Sequence, residues 1–390
     1  MLLIFDTHPV QYRAPLWRAI QQLYPGSIHV VYASDCSVKG HQDEGFGQTV
    51  AWDEPLLAGY PYTILNCEKG QPLSGWGSLT GKGVKEVIAH TRPSAVLLTG
   101  IYYRYESVAW YYARLAGIPV WLRTETQDEA FQRSRFKSFL RSLVYKIAYK
   151  GFQKFFYIGQ LNKLHYQHHG VSPNRLLAAH YCTVNRYEGM SLAEKKQLRT
   201  QIRSQAGITT DKWVVGFSGK FIEKKNPLLL FQSLAYLPDE LREKIHFYYV
   251  GSGTLEEALR QKAREASDTW GIKTTFTGFV NQSQIGEHYL AMDVMVLPSR
   301  RMGETWGLVA NEALQAGCGV VVSDAVGCGA DFMTWERVRV FSEGDTQHLA
   351  KQLASLSRFE TDLEWATANL ESYSMMAAAQ AIAHEIPLNP

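Results

Sequence analysis

The sequence predicts an α/β protein built from two doubly wound, parallel-sheet domains. Three observations carry this reading. Short, continuous apolar runs rich in β-branched residues alternate with amphipathic stretches of helix length, the pattern of strands covered by helices on both faces. The alternation runs once through the first half of the chain and begins again near residue 213. The chain has 390 residues, 46% apolar and 20% charged, and a chain of this size buries roughly 70–75% of its unfolded surface without help from disulfides or metals.

In the first series, strands are expected at 2–6, 28–33, 62–66, 95–98, 120–123 and 155–158. Helices are expected at 15–23, 83–91, 106–115 and 161–169, with a basic helix between the last two strands. The second series has strands at 213–217, 246–250, 274–277, 294–297, 320–323 and 338–341. Its helices fall at 228–236, 255–265, 285–291, 308–316 and 346–356. A charged helix, 192–205, marks the seam, expected within 182–207. The division is therefore 1–188, 189–373 and a final helical segment, 374–390. No strand follows that segment, so it could pack on either domain, including back on the first.

Charge and cysteine usage exclude several classes. Lys+Arg number 40 and Asp+Glu 37, too even for a nucleic-acid binder. No run of about 18 apolar residues is present, and the segment MLLIFDTHPVQYR lacks the features of a signal peptide. Five cysteines without a C-x-x-C suggest neither a disulfide framework nor a metal site. The expected location is the cytoplasm. The balance hides an asymmetry: residues 1–190 carry 20 basic against 13 acidic side chains, and residues 191–390 carry 20 against 24. Between Ala130 and Leu164 lie eight basic residues, no acidic one, and interleaved Phe, Leu, Val, Ile and Tyr. Such a helix is expected either to pack by its apolar face or to lie through residues 131–155 on an anionic membrane surface, on the inner face.

Three loop segments carry candidate chemistry. The first, P-S-R-R-M-G-E-T-W-G-L-V-A-N-E (298–312), leaves a buried strand and opens a helix. The amides of Gly307, Leu308 and Val309 fall where a helix begins and lack intrahelical partners, so they can bind an anion. Gly307 is expected to let a ligand approach the backbone. Glu304 and Glu312, eight positions apart, could grip two ends of one extended ligand, or stand as solvent-facing carboxylates. The second, G-F-S-G-K-F-I-E-K-K-N-P (216–227), delivers Gly219, Lys220 and Lys225 beyond a strand end, where open α/β sheets bind ligands; two lysines there suit a diphosphate. The third, V-G-S-G (250–253), with Gly278, Phe279 and Val280 after the next strand, offers Gly251 and Gly253 for backbone contact to a base, or only tight turns.

In this order the segments resemble the retaining glycosyltransferases of family 4, the group 1 type with the GT-B fold, strongly over about 214–332. The resemblance implies two Rossmann-like domains facing each other across a cleft. The first would be the acceptor side and the second would hold a nucleotide-sugar donor. It implies Glu312 on the ribose hydroxyls, Glu304 on the sugar, and Lys220 with Lys225 on the diphosphate. Lys220 stands where the family commonly has Arg, and G-C-G-A-D (327–331) departs from the usual G-G-x-P-E, so Asp331 receives no role. In the first domain, D-T-H-P-V-Q-Y-R resembles an opening seen in some members. His8, Gln11, Tyr12, Arg104, Arg123 and Glu125 are the expected acceptor-side residues, with Asn185 and Arg186 near the cleft.

The implied reaction moves a sugar from a UDP- or GDP-type donor to a hydroxyl of a saccharide, lipid-linked saccharide or small molecule, as in surface polysaccharide assembly. Glu304, Lys225, Lys220 and His8 are the catalytic candidates. No D-x-D is present, so no metal and no cofactor are expected. Other GT-B activities, such as an epimerase, a phosphorylase or an inverting transferase, fit the same motifs, and a non-catalytic two-lobed binding protein is a further alternative.

Overall fold

The computed structural model describes residues 1–38, 41–43, 48–50, 53–69 and 74–387, so the last three residues of the expected 374–390 segment lie outside the described residues. The strands in chain order are β1 (Leu2–Asp6), β2 (Ile28–Tyr32), β3 (His41–Asp43), β4 (Gln48–Val50), β5 (Tyr62–Ile64), β6 (Ala95–Leu98), β7 (Val120–Leu122), β8 (Lys154–Tyr157) and β9 (Leu176–Ala178). Then follow β10 (Trp213–Ser218), β11 (Ile245–Val250), β12 (Lys273–Phe276), β13 (Val294–Leu297), β14 (Gly319–Ser323) and β15 (Val338–Phe341).

Two parallel sheets organise them. The first has the order β5-β2-β1-β6-β7-β8-β9 and the second β12-β11-β10-β13-β14-β15; β3 and β4 form a separate antiparallel pair. The central strands, Leu-Leu-Ile-Phe-Asp of β1 and Val-Met-Val-Leu of β13, are buried along their whole length. That is the consequence of covering both faces of a parallel sheet. In each sheet the strand order reverses beside one strand. β1 lies between β2 and β6, and β10 between β11 and β13. Loops leaving the carboxyl ends at such a reversal diverge and leave a crevice.

The helix Leu192–Gln205 carries the chain into the second sheet. Ser191 and Glu194 form a capping box at its start, with Ser191 N donating to Glu194 at 2.7 Å. Further along, Arg199 and Arg203 both pair with Asp293 just before β13, and Asp293 also accepts from Val214 N at 2.7 Å. This ties the helix to the start of the sheet. The final helix, Met375–Ala383, packs on the helix Ala14–Leu23: Ala378, Ala379 and Ile382 share a core with Trp17 and Ile20.

Three departures from expectation have local causes. The helix expected from 106 begins at Arg104, because the Glu106 carboxylate accepts from Tyr102 N at 2.6 Å and Tyr103 N at 2.9 Å and so caps it two residues earlier. The stretch 228–236 divides into Leu229–Ser233 and a 3-10 turn, Leu234–Tyr236. β9 is three residues at the sheet edge, Leu176 and Leu177 half-buried and Ala178 exposed, too short to show alternation.

Candidate active site

Loops from both sheets meet around a cavity of about 160 Å3. The first sheet contributes Gln11 and Tyr12 from the segment after β1. The second contributes Ser218 and Gly219 after β10, Gly251 after β11, Phe279 and Val280 after β12, and Leu308, Val309 and Glu312 from the helix Leu308–Gln315. Nine of the residues expected from the sequence to bind a donor or acceptor thus line one space. Thr183, Val184 and Arg186, from the connection between the sheets, complete one wall.

Glu312 sits at its inner end. The Tyr289 hydroxyl donates to Glu312 Oε2 at 2.7 Å and lies 2.9 Å from the Ser218 hydroxyl. Burial pushes the Glu312 carboxyl up to about 7, against the Tyr289 hydrogen bond and the Arg186 charge, which favour the anion. The start of this helix offers the Leu308 and Val309 amides to the cavity. Gly307 has a steric reason beside the one expected. Its φ is +96°, and a Cβ there would lie 2.6 Å from Val326 Cγ1 and 2.9 Å from Leu297 Cδ2. A left-handed turn pressed against the core is reason enough for glycine at this position.

The glycine loops are stitched to one another. Gly219 N donates to Val250 O at 3.0 Å and Gly251 N to Gly278 O at 2.8 Å. Gly251 has φ +134°, and a Cβ would fall 2.0 Å from Gly219 O. Gly253 is not part of the cavity lining; its carbonyl accepts from Glu256 N at 3.1 Å, and it serves the turn into the helix Glu256–Trp270.

Lys225 and Glu304, expected at separate parts of a donor, touch each other. Lys225 Nζ lies 2.5 Å from Glu304 Oε2, and the Ser299 hydroxyl donates to the same oxygen at 3.1 Å. Glu304 is only 6% exposed. Burial alone would raise its carboxyl, but the charges of Lys225 and Lys224 outweigh burial and hold it below its ordinary value. Lys224 was not singled out from the sequence, although it adjoins Lys225. Its ammonium donates to Gly303 O at 2.8 Å. Its own value is lowered by burial and by the positive charges of Lys225 and Lys220, against the pull of Glu304 and Glu125. Lys220 is half-buried at the head of the same loop. These lysines and carboxylates form one electrostatic group at the C-terminal end of β10 and β13.

On the facing side, Glu125 joins the two lobes. It accepts from Tyr12 at 3.1 Å and Tyr181 at 2.5 Å through Oε1, and from Thr305 at 3.2 Å through Oε2. Gln127 Nε2 donates to Glu304 O at 3.3 Å. The Gln11 Oε1 is buried without a hydrogen-bond partner among the described residues. His8 is half-buried, its Nδ1 3.0 Å from the Thr7 hydroxyl, and it does not line the cavity. Arg123 is corrected to a structural brace. It is buried, bonds the Ala179 carbonyl at 3.1 Å, stacks on Tyr181 and does not line the cavity. Arg104 is exposed at the first turn of its helix, outside the cavity lining.

Two further groups sit outside the cavity. Asp331 accepts from Gln160 N at 3.0 Å and from the Tyr373 hydroxyl at 2.9 Å, so it caps the helix Gln160–His168 from the other lobe; burial pushes its carboxyl up to about 6. Asp128, His165 and His169 are close enough to hold an ion. Yet Asp128 pairs with Arg141 at 2.7 Å and with His165 Nδ1 at 2.8 Å. The other His165 nitrogen meets the Tyr149 hydroxyl at 2.8 Å, and His169 Nδ1 meets the His165 carbonyl at 2.6 Å. That is a satisfied hydrogen-bond network, with most of its lone pairs in use.

Residues 199–367 match the family model described as Glycosyl transferases group 1. The whole chain superposes on the crystal structure of Anabaena HepE in complex with UDP, with a TM-score of 0.65 at 16% identity, covering 99% of this chain and 95% of that one. It superposes likewise on WaaG, a glycosyltransferase involved in lipopolysaccharide biosynthesis, with a TM-score of 0.61 at 13% identity over 100% of both chains. The fold is GT-B. The D-inositol 3-phosphate glycosyltransferase of Geodermatophilus obscurus is 39% identical over 136 residues, 33% of this chain and 29% of that protein. An uncharacterized glycosyltransferase of Methanocaldococcus jannaschii is 30% identical over 152 residues, 38% of this chain and 36% of that protein. The chain thus spans about a third of the length of the curated relatives it matches.

Proposed function

We propose that the protein is a retaining, family 4-type glycosyltransferase that moves a sugar from a UDP- or GDP-sugar to a hydroxyl of a saccharide, lipid-linked saccharide or small molecule. It would work in the cytoplasm at the inner face of a membrane, in surface polysaccharide or glycoconjugate assembly. The domain division is 1–188 for the acceptor, 189–373 for the donor, and 374–390 returning to the first domain. The observation that carries this reading is the shared cavity at the strand-order reversals, with Glu312 and helix-start amides in its wall, and the Lys225–Glu304 pair joining the loop after β10 to the loop that leads into that helix.

In this scheme Glu312 accepts from ribose hydroxyls and Phe279 and Val280 flank the base. The diphosphate draws on the Leu308 and Val309 amides and on Lys220, Lys224 and Lys225, preorganised donors of the kind that stabilise a developing anion. When the donor enters, Lys225 turns from Glu304 to phosphate oxygen, and Glu304 accepts from sugar hydroxyls. The bond from the anomeric carbon to phosphate oxygen breaks, with its electron pair going to the diphosphate. The acceptor oxygen bonds the same face of that carbon, and its proton passes to the departing phosphate. Lysines and amides supply the compensating charge, so the scheme uses no metal or cofactor. Closure around Glu125 and Gln127 would exclude water.

The test is incubation with UDP- and GDP-sugars and saccharide acceptors, with free nucleotide diphosphate quantified and the product's anomeric proton coupling read by NMR. Release of UDP or GDP with an α-linked product from an α-linked donor is expected. Inversion would remove the retaining assignment, and neither binding nor turnover of any nucleotide sugar would remove the proposal.

A further inference from the structure

The helix Arg135–Ala148 is turned inside out. Its residues advance about 100° each around the axis. Phe136, Phe139, Leu140, Leu143, Val144 and Ile147 therefore form one stripe. That stripe faces solvent: Phe136 is 70% and Ile147 71% exposed, and the other four are exposed too. The residue buried against the protein is Tyr145, on the opposite side, within the ring cluster of Tyr149, His165 and His169. Arg135 and Lys146 flank the stripe on one side and Lys137 on the other, all exposed. An ordinary surface helix buries its apolar stripe. A stripe of this length left outside, with a basic rim, marks an interaction surface.

Charge selects the occupant. Residues 130–164 contain eight Lys or Arg and no Asp or Glu. The patch also continues toward the cleft. The segment before the helix runs along the loop that carries Glu304: Gly303 N donates to Ala130 O at 2.8 Å, Phe131 pairs with Met302, and both of those side chains are exposed. We propose that the Arg135–Ala148 helix, extended by Phe131 and Met302, is a docking surface for an anionic lipid bilayer. Docking lays the helix in the interface, apolar stripe toward the acyl chains and Arg135, Lys137 and Lys146 among the headgroups. It sets the mouth of the cleft beside the leaflet, where an amphiphilic acceptor would sit. This last point rests on the transferase reading; the docking itself does not.

The experiment is flotation of the full chain with phosphatidylcholine vesicles, with and without phosphatidylglycerol, at low and high salt. Two variants accompany it: Arg135→Glu/Lys137→Glu/Lys146→Glu, and Phe136→Ser/Ile147→Ser. Arg141 stays as it is, because it holds Asp128. Wild type is expected to float with anionic vesicles only, and less at high salt. Each basic residue near the surface is worth about fivefold in partitioning, so the triple variant should lose about a hundredfold or more. The apolar variant should lose most binding as well. Equal flotation with both vesicle types, or of wild type and triple variant, overturns the proposal. So does self-association of wild type in sedimentation that the apolar variant abolishes while flotation is absent; that result assigns the face to a second copy. The wild-type comparison decides the matter even if a variant misfolds. A thermal shift with UDP and with GDP, measured on each protein, separates the two readings: flotation without a shift by either nucleotide would sink the transferase assignment alone.

Discussion

Glu312→Gln should make the empty protein more stable and a worse binder. The carboxyl titrates near 7 when folded, against 4.5 in an unfolded chain. The folded state therefore holds the proton more tightly. The stabilisation from that proton is present in full below pH 4.5, declines between 4.5 and about 7, and is gone above. Each pKa unit is about 1.4 kcal/mol, so a carboxylate left at this site above pH 7 costs roughly 3 kcal/mol, trimmed to about 2 by its remaining solvent contact. Glutamine keeps an oxygen for the Tyr289 hydroxyl and carries no charge. At pH 8 the variant should melt higher by roughly 4–8 °C if its lobe melts as a unit, and near pH 5 the two proteins should converge. Other groups titrate alike in both proteins, so the difference isolates this one. For UDP the sign is opposite: losing a charge-assisted hydrogen bond costs about 1.5–3 kcal/mol, a tenfold to hundredfold weaker Kd. Scanning fluorimetry at both pH values and titration calorimetry with UDP read the two effects. A melting difference independent of pH, or an unchanged UDP affinity, would refute the placement of Glu312.

Lys225→Ala removes the nearest cation from a buried carboxylate and should destabilise the fold by roughly 2–4 kcal/mol, less than a fully unpaired charge because Lys224 remains beside Glu304. Glu304 should then titrate higher, so the loss measured by urea denaturation should be larger at pH 8 than at pH 4; Lys225→Met with unchanged stability would contradict the pairing. Gly251→Ala should cost about 4 kcal/mol or more, since its Cβ would fall 2.0 Å from Gly219 O at φ +134°. Gly26→Ala, at φ +76° with nothing within 4 Å of its Cβ, should cost only about 1 kcal/mol, and equal melting points for the two would defeat the steric argument.

The strands and the loops of the site were legible because they are local. Short, β-branched apolar runs such as Trp213–Ser218 and Val294–Leu297, bounded by turn residues, read as covered strands, and the glycines and lysines after the first of them then lie at its carboxyl end. What escaped depends on residues far apart in sequence. Nothing in G-C-G-A-D indicates that Asp331 will cap a helix at Gln160, nor that Glu125 will meet Thr305. The packing that requires glycine at 307 is equally hidden, because its Cβ-side neighbours, Val326 and Leu297, come from two other segments. The periodicity of 135–148 gives the width of the apolar stripe but not its direction, which is set by the packing of Tyr145 into the Tyr149–His165 cluster.

Those long-range contacts fall on one piece of chain. The segment 302–305 is bonded at Gly303 O by Lys224, at Gly303 N by Ala130, at Glu304 O by Gln127 and at Thr305 by Glu125. Its backbone is thus held from both lobes, whereas the Glu304 carboxylate is held by Ser299 and Lys225 from its own lobe. A ligand that takes Lys225 away exchanges one charged partner for another and leaves the backbone anchors intact. In the proposed scheme the site would accept a donor by turning two side chains, with the loop already in place. The anchors at Ala130, Gln127 and Glu125 all belong to the strand-to-helix segment that leads into Arg135–Ala148, so whatever holds that helix also holds the loop that carries Glu304.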